Sequence, residues 1–112
     1  MGEKHSVAYK LTAAAGSSDV VTLFTVTSAR RFMLQKVTVH FPAGSNYQLE
    51  VKLLRGNEAV APREGVLVGD DSLIVVESDA IYEGGQPVLL YYKNSDTANP
   101  HEAFILVEGE VM

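Results

Sequence analysis

The side chains able to do chemistry are few and far apart. The histidines are His5, His40 and His101, and no two lie close in sequence. A His-x-His pair with a nearby carboxylate is the usual start of a histidine metal site, and no such pair occurs here. Asp70, Asp71, Glu77, Asp79 and Glu83 form the densest acidic stretch, and Asp96 with Asn99 a smaller one. Calcium requires about six to eight converging oxygens, and the spacing of these acids fits no calcium loop, so they read as solvated turns. Nothing singles out a pair of carboxylates for glycoside hydrolysis. Gly16-Ser17-Ser18 and Gly44-Ser45-Asn46 are turn sequences, and neither is a Gly-x-Ser-x-Gly elbow. Gly84-Gly85 is followed by no helix start, so it is not a phosphate cradle. These residues predict no catalytic group, no metal site and no cofactor, and hence a protein that is not an enzyme.

The totals narrow the class further. At 112 residues the chain is expected to form a single domain spanning 1–112, large enough to bury a core. With no cysteine, disulfides, thiolate zinc sites and cysteine nucleophiles are all excluded. Fourteen acids against nine Lys plus Arg give a net charge of −5, which argues against nucleic-acid binding, since that needs a basic face. Arg30-Arg31, with Lys36 further on, is the one basic cluster and reads as a solvated strand entrance. No apolar run approaches the roughly 20 residues of a membrane helix. Met1-Gly2-Glu3-Lys4-His5 lacks the apolar region of a secretory leader, which predicts a cytoplasmic protein unless it is carried on a particle.

The elements that would position these residues are strands. Val7, Tyr9 and Leu11 alternate with Ala8, Lys10 and Thr12, so residues 1–15 form a first strand or an extended N-terminal arm. Val20 to Thr27 is a second strand, with Val20, Phe24 and Val26 assigned to one face. Arg31 to Phe41 is a third, with Met33, Val37, Val39 and Phe41 in phase. Phe32 and Leu34 fall out of that phase, which requires either a bulge near Gln35 or cover on both faces; the second is the expectation. In the strand from Tyr47 to Arg55, Tyr47, Leu49, Val51 and Leu53 point inward. Pro62 rules out a central strand around it. Leu73-Ile74-Val75-Val76 is an unbroken apolar run, expected to be covered on both faces. From Ile81 to Val111, two alternating runs flank Asn94 to Pro100 and read as a long closing hairpin. About eight strands, with turns roughly every ten residues, predict an all-β, antiparallel, jelly-roll-like β-sandwich.

The closing segment is apolar on both alternating sets. Leu89 with Tyr91 and Phe104 with Leu106 lie opposite the core set, where a monomeric sandwich would be wet. These four, with Tyr9 and Leu11 of the N-terminal segment, are the candidate subunit interface. Tyr82 and Tyr91 are the aromatic candidates for stacking on a sugar or other small ligand, although strand tyrosines usually serve cores and interfaces.

Taken over most of its length, the chain resembles the small jelly-roll accessory proteins of phages and viruses, the decoration or cement proteins of capsid lattices. The resemblance rests on a strand or arm before Gly16-Ser17-Ser18, the Arg31-Phe32-Met33-Leu34 strand, and the Glu83-Gly84-Gly85-Gln86-Pro87 corner that opens the closing strands. It implies a non-enzymatic virion protein, of the capsid or the tail, that forms a homo-oligomer, with a trimer favoured, and contacts a shell. The alternative is a β-sandwich module that binds carbohydrate or another small ligand.

Overall fold

The computed structural model describes residues 2–112. Alternating β-branched and aromatic residues, interrupted by glycine-bearing turns, favour strands throughout, and among the described residues no helix forms. The strands are β1 (Glu3–Ala13), β2 (Ser18–Thr25), β3 (Phe32–Phe41), β4 (Leu49–Arg55), β5 (Glu58–Ala61), β6 (Ser72–Glu77), β7 (Ile81–Tyr82), β8 (Pro87–Asn94) and β9 (His101–Val111). One sheet has the order β1-β9-β3-β6, with the two-residue β7 also on β3; the other has the order β2-β8-β4-β5. All pairings are antiparallel. They nest, β1 with β9, β2 with β8, β3 with β6 and β4 with β5, so the first half of the chain runs back along the second. That is the wrapped-hairpin topology of a jelly roll, as expected.

The core lies between the sheets. Phe32, Leu34, Val37, Val39 and Phe41 of β3 and Ala103, Ile105 and Val107 of β9 meet Leu49, Val51 and Leu53 of β4 and Val88 and Leu90 of β8. Each fully buried aliphatic or Phe side chain contributes about 1.5–3 kcal/mol, so these four strands hold most of the hydrophobic stabilisation.

Several local expectations give way to tertiary context. β8 and β9 are not a hairpin: they lie in opposite sheets, and the segment between them crosses the end of the sandwich. Asn94 fixes that crossing. Its side chain is buried, its Nδ2 donates to the carbonyls of Ala13, Ala14 and Asn99, and its Oδ1 accepts from the N–H of Asp96. In β3 the register with β9 shifts between Leu34 and Lys36. Phe32 and Leu34 are therefore buried together with Val37, Val39 and Phe41, while Met33 is only half-buried; the phase change is a bulge at Gln35, not double cover. A second shift, between Thr22 and Phe24, separates Val20, which is exposed, from Phe24 and Val26, which face the core. In β6 the apolar run is not covered on both faces: Leu73 and Val75 point to the outer face of their sheet, which no second layer covers, and are exposed. Tyr47 precedes β4 in a turn where it and Asn46 both have positive φ, and its ring points to solvent. Residues 3–13 are the first strand rather than a free arm, since β1 pairs with β9 at every position.

Candidate interaction surface

The predicted interface residues divide among three places. Leu11 is 2% exposed and belongs to the core, because it faces inward beside Ala103 of β9. Tyr9 also faces inward, at the margin of the core. Leu89 and Tyr91 are half-buried on the outer face of the β2-β8-β4-β5 sheet, and Phe104 and Leu106 lie on the outer face of the other sheet. The two apolar sets of the closing segment therefore sit on opposite sides of the molecule.

The ligand candidates change character. Tyr82 is fully buried, and its hydroxyl donates to the Leu54 carbonyl at 2.9 Å, tying β7 to β4 across the core. Burial pushes its phenol pKa well above the usual range, with the Arg55 charge opposing. It offers no face to a ligand. Tyr91 is flanked by Lys52, whose Nζ lies 5.1 Å from the ring centroid, so a cation already occupies the stacking position. Val20, Glu50 and Lys93 share this outer face with Tyr91, which makes it mixed and wet.

The outer face of the β1-β9-β3-β6 sheet is more ordered. Strand register sets its side chains in three rows across the strands. Lys10, Phe104, His40 and Leu73 form one, Ala8, Leu106, Thr38 and Val75 the next, and Ser6, Glu108, Lys36 and Glu77 the third. Leu73 is 66% exposed, Val75 53% and Phe104 41%. The rings of His40 and Phe104 stack with centroids 5.8 Å apart, and Lys10 Nζ is 5.9 Å from the Phe104 centroid. Ion pairs bound the apolar centre at both ends, Lys10–Glu102 at 3.4 Å and Lys36–Glu108 at 3.6 Å. As exposed pairs they contribute little to stability. An apolar centre within a charged rim is the anatomy of a protein–protein contact. Sequence reasoning found Phe104 and Leu106 but missed Leu73 and Val75. Their signal, four apolar residues in a row, was assigned to a doubly covered strand.

The remaining polar cluster is at the sheet-to-sheet crossing. His101 Nε2 lies 2.9 Å from Asp96 Oδ2, both largely shielded from solvent. The Asp96 carboxyl is held down at about 2, first by the Ala98 N–H and then by His101 and Asn99, with desolvation opposing. These bonds run within one segment, so the pair fastens the crossing. Asp70 of the acidic stretch accepts from the Gly44 and Asn46 N–H groups, and Asp79 pairs with Arg63. Among the described residues no three His, Asp or Glu side chains converge as metal ligands.

No protein-family model matches the chain, and no curated protein matches it in sequence. Solved structures do match in fold. A chain of the cyanophage Pam1 capsid asymmetric unit superposes with a TM-score of 0.62 at 11% identity, over 97% of this chain and 85% of that one. A chain of the acid-stable capsid of Helicobacter pylori bacteriophage KHP30 gives 0.57 at 19% identity, over 100% and 97%. PirA gives 0.58 at 10% identity, over 90% and 93%. At these identities the likeness is one of fold, and it establishes the jelly roll.

Proposed function

We propose that this protein is a non-enzymatic structural component of a virus or phage particle, a capsid decoration or tail accessory protein that works through its sheet faces. The observation that carries this reading is the outer face of the β1-β9-β3-β6 sheet. There Leu73, Val75, Phe104 and Leu106 form an apolar centre that a solitary sandwich gains nothing by exposing. The fold likeness to the Pam1 and KHP30 capsid chains supports the virion setting. With Tyr82 in the core and Tyr91 beside Lys52, a carbohydrate-binding role has less to recommend it.

The test is immuno-electron microscopy of particles purified from the source, using antibodies against the recombinant protein, alongside a glycan array. Regular labelling of particle surfaces with no array hits is expected. Unlabelled particles together with reproducible glycan binding would replace this reading with the ligand-binding one.

A further inference from the structure

The charged rim of this face is patterned as well as present. We propose that the face docks onto the same face of a second copy of the chain, about a two-fold axis parallel to the strands and midway between β9 and β3. Such an axis lays β9 of one copy over β3 of the other, and β1 over β6, while keeping each row on its own row. Glu108 then meets Lys36 of the second copy, and the reverse pair forms at the same time. In the next rows Phe104 meets His40, Leu106 meets Thr38, and Val75 meets Ala8. Nowhere do like charges face one another.

Other two-fold axes in the plane of the face do worse. Those midway between β1 and β9 or between β3 and β6 oppose no like charges but overlap only two strands of each copy. The rest set like charges together or a charge on the apolar rows. An axis running along β9 sets Glu108 against its own copy, and one along β3 sets Lys36 against Lys36. An axis across the strands through the Leu106 row puts Phe104 on Glu108 and His40 on Lys36. Moving that axis between the Phe104 and Leu106 rows sets Glu102 against Glu108. Facing like charges cost affinity directly, so charge and overlap together select the strand-parallel axis midway between β9 and β3, which matches all four strands. It is also compatible with the preferred packing of sheets face to face, about 10 Å apart with strands within roughly 30°. The proposed contact is two-fold, whereas the resemblance implies a three-fold assembly. The inference does not depend on where the protein resides.

Three rows on four strands cover roughly 400 Å² of sheet plane per copy, taking strands ~4.8 Å apart and rows ~6.8 Å apart. A standard interface buries about 800 Å² per partner, so the contact lies at the weak end and the dimer is concentration-dependent. Light scattering across a concentration series should show the mass rising from 12.1 kDa towards twice that value. Lys36→Glu and Glu108→Lys should each raise the dissociation constant at least ~10-fold, because each sets two like-charge pairs face to face. Mixed in equal amounts, the two variants should recover the dimer, since both cross-copy pairs are then attractive. An intrachain role for the Lys36–Glu108 pair predicts no recovery on mixing. Val75→Asp, at a position 53% exposed in the monomer, should stay folded and monomeric. Folding of all three is checked by circular dichroism and thermal melting. A mass of three copies, a wild type that stays monomeric throughout, failure of folded variants to recover on mixing, or an undiminished dimer in Val75→Asp would each overturn the proposal.

Discussion

Asn94→Asp is the substitution that most directly probes how the two sheets are joined. The Asn94 side chain ends β8 in one sheet and reaches the Ala13 carbonyl at the end of β1 in the other, with 1% of its surface exposed. Its two N–H bonds are directed at three carbonyls, those of Ala13 and Ala14 at 3.3 Å and that of Asn99 at 3.1 Å. An aspartate there has no N–H to donate and turns an acceptor oxygen towards those carbonyls. Losing two buried donors costs about 2–4 kcal/mol, and an unpaired buried charge brings the total to about 4–5 kcal/mol near neutral pH. That is a large share of the roughly 5–15 kcal/mol that stabilises a domain. Desolvation and the facing carbonyls raise the introduced carboxyl's pKa in the folded state above its unfolded value of about 3.9. The charge penalty is therefore absent below that unfolded value and grows as pH rises, until the folded-state group ionises. Urea unfolding of Asn94→Asp and Asn94→Ala at about pH 4 and about pH 7 separates the two contributions. The aspartate variant should be the less stable of the two near neutrality, and the gap should narrow in acid. A gap unchanged between the two pH values would refute the reasoning, as would an Asn94→Asp stability within about 1 kcal/mol of wild type near pH 7.

Two further perturbations test the packing and the loop. Gly109→Ala would place a Cβ 2.3 Å from the Met33 carbonyl oxygen and 2.6 Å from Phe32 Cζ. Backbone cannot yield as a side-chain end can, so thermal melting should show a loss at the upper end of the overpacking range, about 3 kcal/mol or more. A neutral result would mean that β9 lies further from β3 than described. Asp96→Asn removes a carboxylate whose pKa is depressed to about 2 in the folded state. A depressed group contributes stability that is present above the ordinary carboxylate value and is lost as pH falls through the folded one. Wild type should therefore lose more stability than Asp96→Asn as pH is lowered from about 4 to about 2 in an acid-unfolding titration. Parallel curves for the two proteins would remove the loop pair from the account.

The sequence by itself determined the fold class. Period-two alternation, β-branched composition and regularly spaced turn residues act over a few neighbours, and they leave little but antiparallel strands. It also determined that Leu49, Val51 and Leu53 share the core, because that strand keeps an unbroken register with β8. Alternation likewise gave the inward faces of β8 and β9, with Val88, Leu90, Ala103, Ile105 and Val107 in the core, but only the tertiary structure decided how β2 and β3 turn. A bulge at Gln35 and a second shift between Thr22 and Phe24 each reverse the parity of everything beyond them, and alternation within one strand carries no mark of such an inserted residue. Sheet assignment is likewise non-local. β8 and β9 read as a hairpin because they are apolar and adjacent, yet each finds its partners on strands more than 30 residues away, β2 and β4 for the one, β1 and β3 for the other. That choice put Leu89 and Tyr91 on one side of the molecule and Phe104 and Leu106 on the other. Leu73 and Val75 are uncovered for a similar reason: an unbroken apolar run does not show whether both of its faces meet another layer. Only the presence or absence of a layer packed over a sheet face decides whether the residues on it belong to the core or to a surface.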